Sequence, residues 1–195
     1  MGMQIAIDGP SGAGKSSLAR ALAQRLHIRS IDTGAMYRAL AHKAISTEVD
    51  LADEAAIAAL LDAVKIQLYW DESGEQRVSV DGEDVSGQIR SPQVSQGASR
   101  IAEHAAVRKS MVSAQQTLAA ESDVVMDGRD IGSAVLPGAD VKFYVTADVN
   151  TRAIRRIAQT DGGNGAIDPA QVRKVAAELQ ARDEADSQRA ATPLV

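Results

Sequence analysis

The segment of residues 9–16, Gly-Pro-Ser-Gly-Ala-Gly-Lys-Ser, constrains the fold of this chain more than any other. It fits the pattern G-x-x-x-x-G-K-[ST], which is typical of a phosphate-binding loop. Residues 3–8 before it predict a short buried strand, and residues 17–26 after it carry apolar side chains at helical spacing. A chance glycine-rich turn is the alternative, and the flanking strand and helix disfavour it.

The chemistry of this loop follows from its residue types. Glycines let the backbone approach a phosphate closely, and the freed N–H groups bind anions at the positive end of a helix. Lys15 can reach the β- and γ-phosphates, and the Ser16 hydroxyl can ligate Mg²⁺. We therefore expect a nucleoside triphosphate to be bound by Gly9, Pro10, Ser11, Gly12, Ala13, Gly14, Lys15, Ser16 and Ser17.

Composition excludes several classes of protein. The formal net charge of −5 argues against a protein that coats nucleic acid. The absence of cysteine excludes disulfides and thiolate metal sites. No apolar segment approaches the length of a membrane span, and the early strand leaves no room for a signal peptide, so we expect a cytoplasmic protein.

Two segments depart from an alternation of strands and helices. Residues 65–70 and 77–80 alternate polar and apolar side chains around turn residues, which predicts a small antiparallel sheet. We interpret residues 65–100 as an inserted lobe and residues 1–64 and 101–195 as the core.

Two helices joined by a glycine-rich segment, with arginines at its base, predict a lid at about residues 152–168. A solvent-facing helical hairpin is the alternative to the lid.

Residues 123–127 predict a buried strand that ends in a carboxylate. Asp127 at such a position can hold Mg²⁺-bound water. Gly128, Arg129 and Asp130 follow directly and would face the crevice where α/β proteins bind ligands. A surface turn with an ion pair is the alternative interpretation.

These segments together resemble a known family. Residues 9–16, Asp-Thr-Gly-Ala-Met-Tyr-Arg at 32–38, Asp-Gly-Glu-Asp-Val at 81–85, Gly-Arg-Asp-Ile-Gly at 128–132 and the segment from Arg182 to Leu194 closely resemble the bacterial cytidylate kinases. The resemblance implies an α/β fold of the P-loop nucleoside monophosphate kinases: three layers with a mostly parallel central sheet, a small inserted antiparallel lobe and a helical lid. Family members usually continue with another strand and a closing helix, which are absent here, so we expect an exposed sheet edge and a weaker adenine site.

The resemblance also implies an activity and its residues. The family transfers the γ-phosphoryl group of ATP to CMP or dCMP with Mg²⁺, and we expect a monomer that binds only these nucleotides, neither nucleic acid nor a membrane. Catalysis is expected from Lys15, Asp127, Arg129, Arg155 and Arg156, with Ser16 at the metal. The CMP phosphate would contact Thr33, Arg38, Arg129 and Arg189; cytosine would contact Ser99, Arg108 and Asp130; ribose would contact Arg182 and Asp186, with Tyr37 nearby.

Two other functions fit parts of this sequence. One is a kinase of another small acceptor, such as a different nucleoside monophosphate or shikimate. The other is a nucleotide-binding module with impaired catalysis, which the short C-terminus would favour. A guanine-type switch is disfavoured, since the chain has no Asn/Thr-Lys-x-Asp motif for reading that base.

Overall fold

The computed structural model describes residues 2–160 and 168–187. The tip of the predicted lid, residues 161–167, and Arg189 lie outside the described residues. The chain folds as two compact units, which we call the P-loop unit (Met3–Ile28 with the described residues from Val124 onward) and the central unit (Gly2 with Arg29–Asp123). The division at residues 65 and 100 stays a prediction.

The P-loop unit is built on parallel strands. Its elements are listed in chain order: β1 Gln4–Asp8, α1 Lys15–Leu26, β6 Val124–Asp127, a π-helical turn at Ile131–Val135, β7 Val141–Tyr144, α6 Val149–Thr160 and α7 Pro169–Ser187. Strand β1 pairs in parallel with β6 on one side and with β7 on the other. This confirms the predicted α/β class with its mostly parallel sheet.

Burial in this unit follows the strands' positions. Strand β1, which has a neighbour on each side, buries Ile5 and Ile7, and these residues pack with Ala19 and Ala23 of α1 and with Val125 of β6. Strand β7 differs, because all four of its residues are exposed. Strands β1 and β6 are therefore the buried part of this sheet, and the glycine-rich loop and the turn after β6 begin at their ends.

The central unit combines helices with an antiparallel sheet. Its elements, in chain order, are β2 Arg29–Asp32, α2 Gly34–Ser46, α3 Glu54–Ala63, β3 Ile66–Trp70, β4 Gln76–Val80, β5 Glu83–Asp84, a 3₁₀ turn at Gln88–Arg90, α4 Pro92–Ile101 and α5 Ala105–Ala120. Strands β3, β4 and β5 form the predicted antiparallel sheet in that order. The hydrophobic core of the central unit is mainly aliphatic and includes Leu40, Ile57 and Met111.

Local capping signals set several helix ends. The Ser91 hydroxyl accepts the Val94 N–H at 3.2 Å, with Pro92 in the first turn of α4. Asp53 caps α3 through the Ala56 N–H at 3.0 Å. Asp148 accepts the Asn150 and Thr151 N–H groups where α6 begins. None of the helices in the described part of the chain is long and apolar enough to cross a membrane.

Leu40 tests the core of the central unit. Leu40→Ala should lower the free energy of unfolding by about 2–5 kcal/mol, because Leu40 is fully buried and its truncation leaves a cavity. Urea unfolding followed by fluorescence of Trp70, the only tryptophan, measures this. The exposed Gln67→Ala on β3 is the control and should change it by less than about 0.5 kcal/mol. Equal effects of the two substitutions would contradict the placement of the core.

Candidate functional site

The glycine-rich loop leaves β1 at Gly9 and enters α1 at Lys15. Gly9 has a φ of +140°, and a Cβ there would lie 2.0 Å from the Val145 carbonyl oxygen, so only glycine fits. Gly14, with a φ of +106°, is the N-cap residue of α1. Glycine has no side chain that could cap the first-turn N–H groups of α1, and N–H groups at the start of a helix are suited to bind an anion. The backbone therefore has the form that the sequence predicts for phosphate binding.

Lys15 lies inside this loop. Its side chain is buried, and its Nζ donates to the Pro10 carbonyl oxygen at 2.8 Å. This contact holds the ammonium group against the loop backbone. A phosphate in the loop would therefore meet a cation that is already oriented, which reduces the entropy lost on binding.

Ser16 and Asp127 meet at the ends of adjacent elements. The Ser16 hydroxyl donates to the Asp127 Oδ2 at 2.8 Å, and Asp127 is buried at the end of β6. A hydroxyl and a carboxylate are the hard oxygen ligands that suit Mg²⁺. Among residues 2–160 and 168–187, no group of three or more acidic, histidine or cysteine side chains could hold a metal by itself. An ion at Ser16 and Asp127 would therefore need water and phosphate oxygens to complete its coordination, as Mg²⁺ usually does.

The turn after β6 carries Arg129 and Asp130. The Arg129 Nε donates to the Asp186 Oδ2 at 2.8 Å, and Asp186 on α7 is only 1% exposed. Asp186 therefore orients the guanidinium group of Arg129. Its predicted contact with a ribose, like that of Arg182 on the same helix, stays a prediction.

Asp8 was missed in the sequence, although it lies at the centre of this region. Its carboxylate accepts the Ile131 N–H and the Gly132 N–H, both at 2.7 Å. Burial raises the pKa of Asp8 above its usual value, the charge of Asp130 acts in the same direction, and the two N–H groups and Lys15 act against it. Only its place at the end of a strand could have drawn attention to it in the sequence.

Helix α6 presents two arginines to the loop. Arg152 is buried; its guanidinium donates to the Ser11 carbonyl oxygen at 3.1 Å, the Ala147 carbonyl oxygen at 3.0 Å and the Asp183 carboxylate at 2.6 Å. Arg155 donates to the Ala13 carbonyl oxygen at 3.1 Å. Residues three apart share a helix face, so both side chains reach the loop. Arg152, which has no predicted role, thus holds the loop, while the predicted catalytic roles of Arg155 and Arg156 remain predictions.

The remaining residues that are predicted to bind CMP, the phosphoryl acceptor, belong to the central unit. Thr33 is buried before α2, Tyr37 and Arg38 lie in the first turns of α2, Ser99 lies on α4, and Arg108 is buried on α5. The Arg38 guanidinium donates to the Asp32 Oδ2 at 2.6 Å. A Cβ on Gly34 would lie 2.8 Å from the Arg38 guanidinium, so glycine leaves room for this ion pair.

Gln76 is a second residue that the sequence did not reveal. Its side-chain amide accepts the Asp32 N–H at 2.8 Å and donates to the Asp32 carbonyl oxygen at 3.2 Å. The amide therefore pairs with the Asp32 backbone as a neighbouring strand would. It fixes the residue that orients Arg38, and a lone glutamine in a strand gives no local signal of such a role.

The comparisons with known proteins decide the family. A family model described as cytidylate kinase matches residues 5–195. The chain belongs to the cytidylate kinase family. The cytidylate kinase of Symbiobacterium thermophilum is 48% identical over 98% of this chain and 83% of its own length. That of Pelotomaculum thermopropionicum is 47% identical over the same shares of the two chains. That of Halalkalibacterium halodurans is 45% identical over 98% of this chain and 85% of its own.

Two of the motifs that carry the family resemblance lie at the same end of the sheet. The G-x-x-x-x-G-K-S loop and the Gly-Arg-Asp turn both lie at the carboxyl ends of paired parallel strands, since Ile7 of β1 is opposite Asp127 of β6. Ligands of open α/β sheets bind at this end of the strands. The residues that the cytidylate kinase resemblance assigns to the donor thus share one sheet end with Arg129 and Asp130.

A substitution of Arg152 tests whether this side chain supports the glycine-rich loop. Arg152→Met should lower the free energy of unfolding by on the order of 3 kcal/mol, because it leaves Asp183 without its cation and the Ser11 carbonyl without a donor. It should also raise the KM for ATP. Calorimetric unfolding and steady-state kinetics measure the two effects. The control is the exposed Arg173→Met on α7, and matching behaviour of the two variants would remove the role of Arg152.

Proposed function

We propose that this chain transfers the γ-phosphoryl group of ATP to CMP or dCMP, giving CDP or dCDP. The observation that carries the proposal is the pairing of β1 with β6, which brings the glycine-rich loop and the Arg129–Asp130 turn to one sheet end. A loop that grips a triphosphate and a turn that offers both a cation and an anion are suited to a donor and an acceptor.

Phosphoryl transfer between these substrates depends on positioning and charge. The attacking oxygen of a monophosphate is already an anion, so no general base is needed. Lys15, Arg129, Arg155 and Arg156 would distribute positive charge around the transferred group, which is the main requirement of such a transition state. Arginine suits this task because its planar fork binds two phosphate oxygens at once.

Mg²⁺ would bind at Ser16 and Asp127, together with oxygens of ATP. The ion would neutralise charge on the donor phosphates. The contact between the Ser16 hydroxyl and the Asp127 carboxylate supports this placement, because both are oxygen ligands of the appropriate type.

The base selectivity would come from Ser99, Arg108 and Asp130. Cytosine differs from uracil by an amino donor and an acceptor ring nitrogen. A carboxylate or hydroxyl that accepts from the amine, with an arginine donating to the nitrogen, selects cytosine. Uracil would leave these groups unpaired at a cost of about 1–3 kcal/mol for each buried one.

The remaining assignments follow the family pattern. Thr33, Arg38 and Arg129 would hold the CMP phosphate, with Tyr37 nearby and with Arg182 and Asp186 at the ribose; Arg189 completes this set outside the described residues. The protein would act as a monomer in the cytoplasm on ATP and CMP or dCMP. The lack of cysteine and the requirement for ATP support this location.

A panel of acceptors tests the proposed activity. With ATP and Mg²⁺, the kcat/KM for CMP or dCMP should exceed that for UMP, AMP and shikimate by at least about tenfold, because each unpaired polar group costs about 1–3 kcal/mol. A coupled assay of ADP formation measures this. A preference for another acceptor would overturn the roles of Ser99, Arg108 and Asp130, and CMP binding in calorimetry without turnover would indicate a binding module.

Lys15 tests the assignment of the loop to the donor. Lys15→Ala should reduce turnover by at least about a hundredfold, since one group that stabilises transition-state charge contributes about that much. The Kd for CMP should stay within about twofold of the wild-type value. Calorimetry with CMP and single-turnover kinetics measure the two effects, and an equal loss of CMP affinity would contradict the separation of donor and acceptor sites.

A further inference from the structure

Asp8 makes two contacts that bring together segments far apart in sequence. Its Oδ1 accepts the N–H of Ile131 and its Oδ2 accepts the N–H of Gly132, each at 2.7 Å. Each oxygen therefore serves one of two successive amides, and hydrogen bonds to an ionised carboxylate are about twice as strong as neutral ones. Asp8 is only 9% exposed, so water competes weakly for these amides.

Gly132 is adapted to this contact. A Cβ at Gly132 would lie 3.2 Å from the Asp8 Oδ2 and 3.1 Å from the Lys142 Cδ. Both distances are shorter than ordinary van der Waals contact, so a side chain at Gly132 would require the Asp8 carboxylate, the Lys142 side chain or the backbone amide to shift by a few tenths of an ångström. The last glycine of the Gly-Arg-Asp-Ile-Gly segment is thus the partner of Asp8.

The same strand also holds the other side of this turn. The Gly128 N–H donates to the Ile7 carbonyl oxygen at 3.0 Å. Between this bond and the bonds of Asp8 lie only Arg129 and Asp130. The positions of these two residues are therefore fixed from both sides by the last two residues of β1, directly before the glycine-rich loop.

We propose that Asp8 is a positioning residue, whose carboxylate fixes the Arg129–Asp130 turn relative to the glycine-rich loop. This inference rests on the proposed function, in which that turn binds CMP. Each carboxylate oxygen accepts a backbone N–H of the turn, so Asp8 acts on the site through the turn that it holds. It links the acceptor turn to the strand that carries the donor loop.

Asp8→Asn keeps the shape of the side chain and replaces one of its two accepting oxygens with a hydrogen-bond donor. The amide oxygen can accept one N–H, while the amide nitrogen would face the other N–H as a second donor. We expect the KM for CMP to rise about tenfold, which corresponds to the loss of one such hydrogen bond, with less than about a twofold change in the KM for ATP. An unchanged KM for CMP, or an equal rise in both KM values, would overturn the inference.

Asp140 provides a matched control. Its carboxylate accepts the Gln4 N–H at 2.8 Å, at the other end of the same strand, in an exposed position. Asp140→Asn makes the same chemical change and should leave the KM for CMP unaltered. If it raised this KM as Asp8→Asn does, the effect would belong to β1 as a whole, and the positioning role would fall.

Coupling to Arg129 separates positioning from a general loss of stability. In an Arg129→Ala background, Asp8→Asn should raise the KM for CMP by a clearly smaller factor, because one of the residues that it positions is already gone. The same factor in both backgrounds would mean that Asp8 does not act through Arg129.

A spectroscopic measurement keeps this inference distinct from the proposed activity. Hydrogen exchange of the Ile131 and Gly132 amides, followed by NMR, should be at least about tenfold faster in Asp8→Asn, and unchanged in Asp140→Asn. Unchanged exchange in Asp8→Asn would overturn the inference whatever the enzyme phosphorylates. If the wild-type protein did not phosphorylate cytosine nucleotides, the proposed function would fall and the exchange rates would still decide the role of Asp8.

A second variant covers the case in which Asp8→Asn does not fold. Gly132→Ala disturbs the Asp8–Gly132 contact by a change at Gly132. Lys142→Ala removes the Lys142 side-chain atoms that the new methyl group would also meet. The double variant should raise the KM for CMP relative to Lys142→Ala alone. Equal KM values in these two variants would contradict the role of the Asp8–Gly132 contact.

Discussion

The close approach of backbone to backbone at the end of β1 is the constraint on which the rest of the P-loop unit depends. Gly9 lies so near the Val145 carbonyl that a side chain there is impossible. The chain can therefore turn out of the sheet and return as α1, which begins at Lys15 directly after the glycine-rich loop. Lys15, at the start of that helix, is held inside the same turn.

The arginines near the proposed site are oriented by partners within the chain. Asp186 holds Arg129, Asp183 holds Arg152, and in the central unit Asp32 holds Arg38. A long cationic side chain loses much conformational entropy when a ligand orders it, and these carboxylates reduce that loss in advance. By orienting these arginines, the acids would favour binding indirectly, whether or not they also touch a nucleotide.

The sequence predicted the elements with local signals and missed contacts between distant residues. The helix starts at Ser91 and Asp148, for example, depend on caps that act within three residues, so their signal is local. The contacts of Asp8 with Ile131 and of Gln76 with Asp32 join residues far apart in the chain, and a carboxylate or an amide at a strand end has many possible partners. The resemblance named residues that are expected to touch ligands, but the side chains that position them became visible only in the folded chain.

Amide chemical shifts measured in ¹H–¹⁵N NMR spectra test most directly whether the glycine-rich loop is the donor site. A non-hydrolysable ATP analogue with Mg²⁺ should shift the Gly12, Gly14 and Lys15 amides most strongly, because their N–H groups would donate to its phosphates. CMP alone should instead shift the amides around Arg129 and Asp130. Loop amides that stay in place at saturating analogue, with the largest shifts elsewhere in the chain, would contradict the assignment of this loop to phosphate binding.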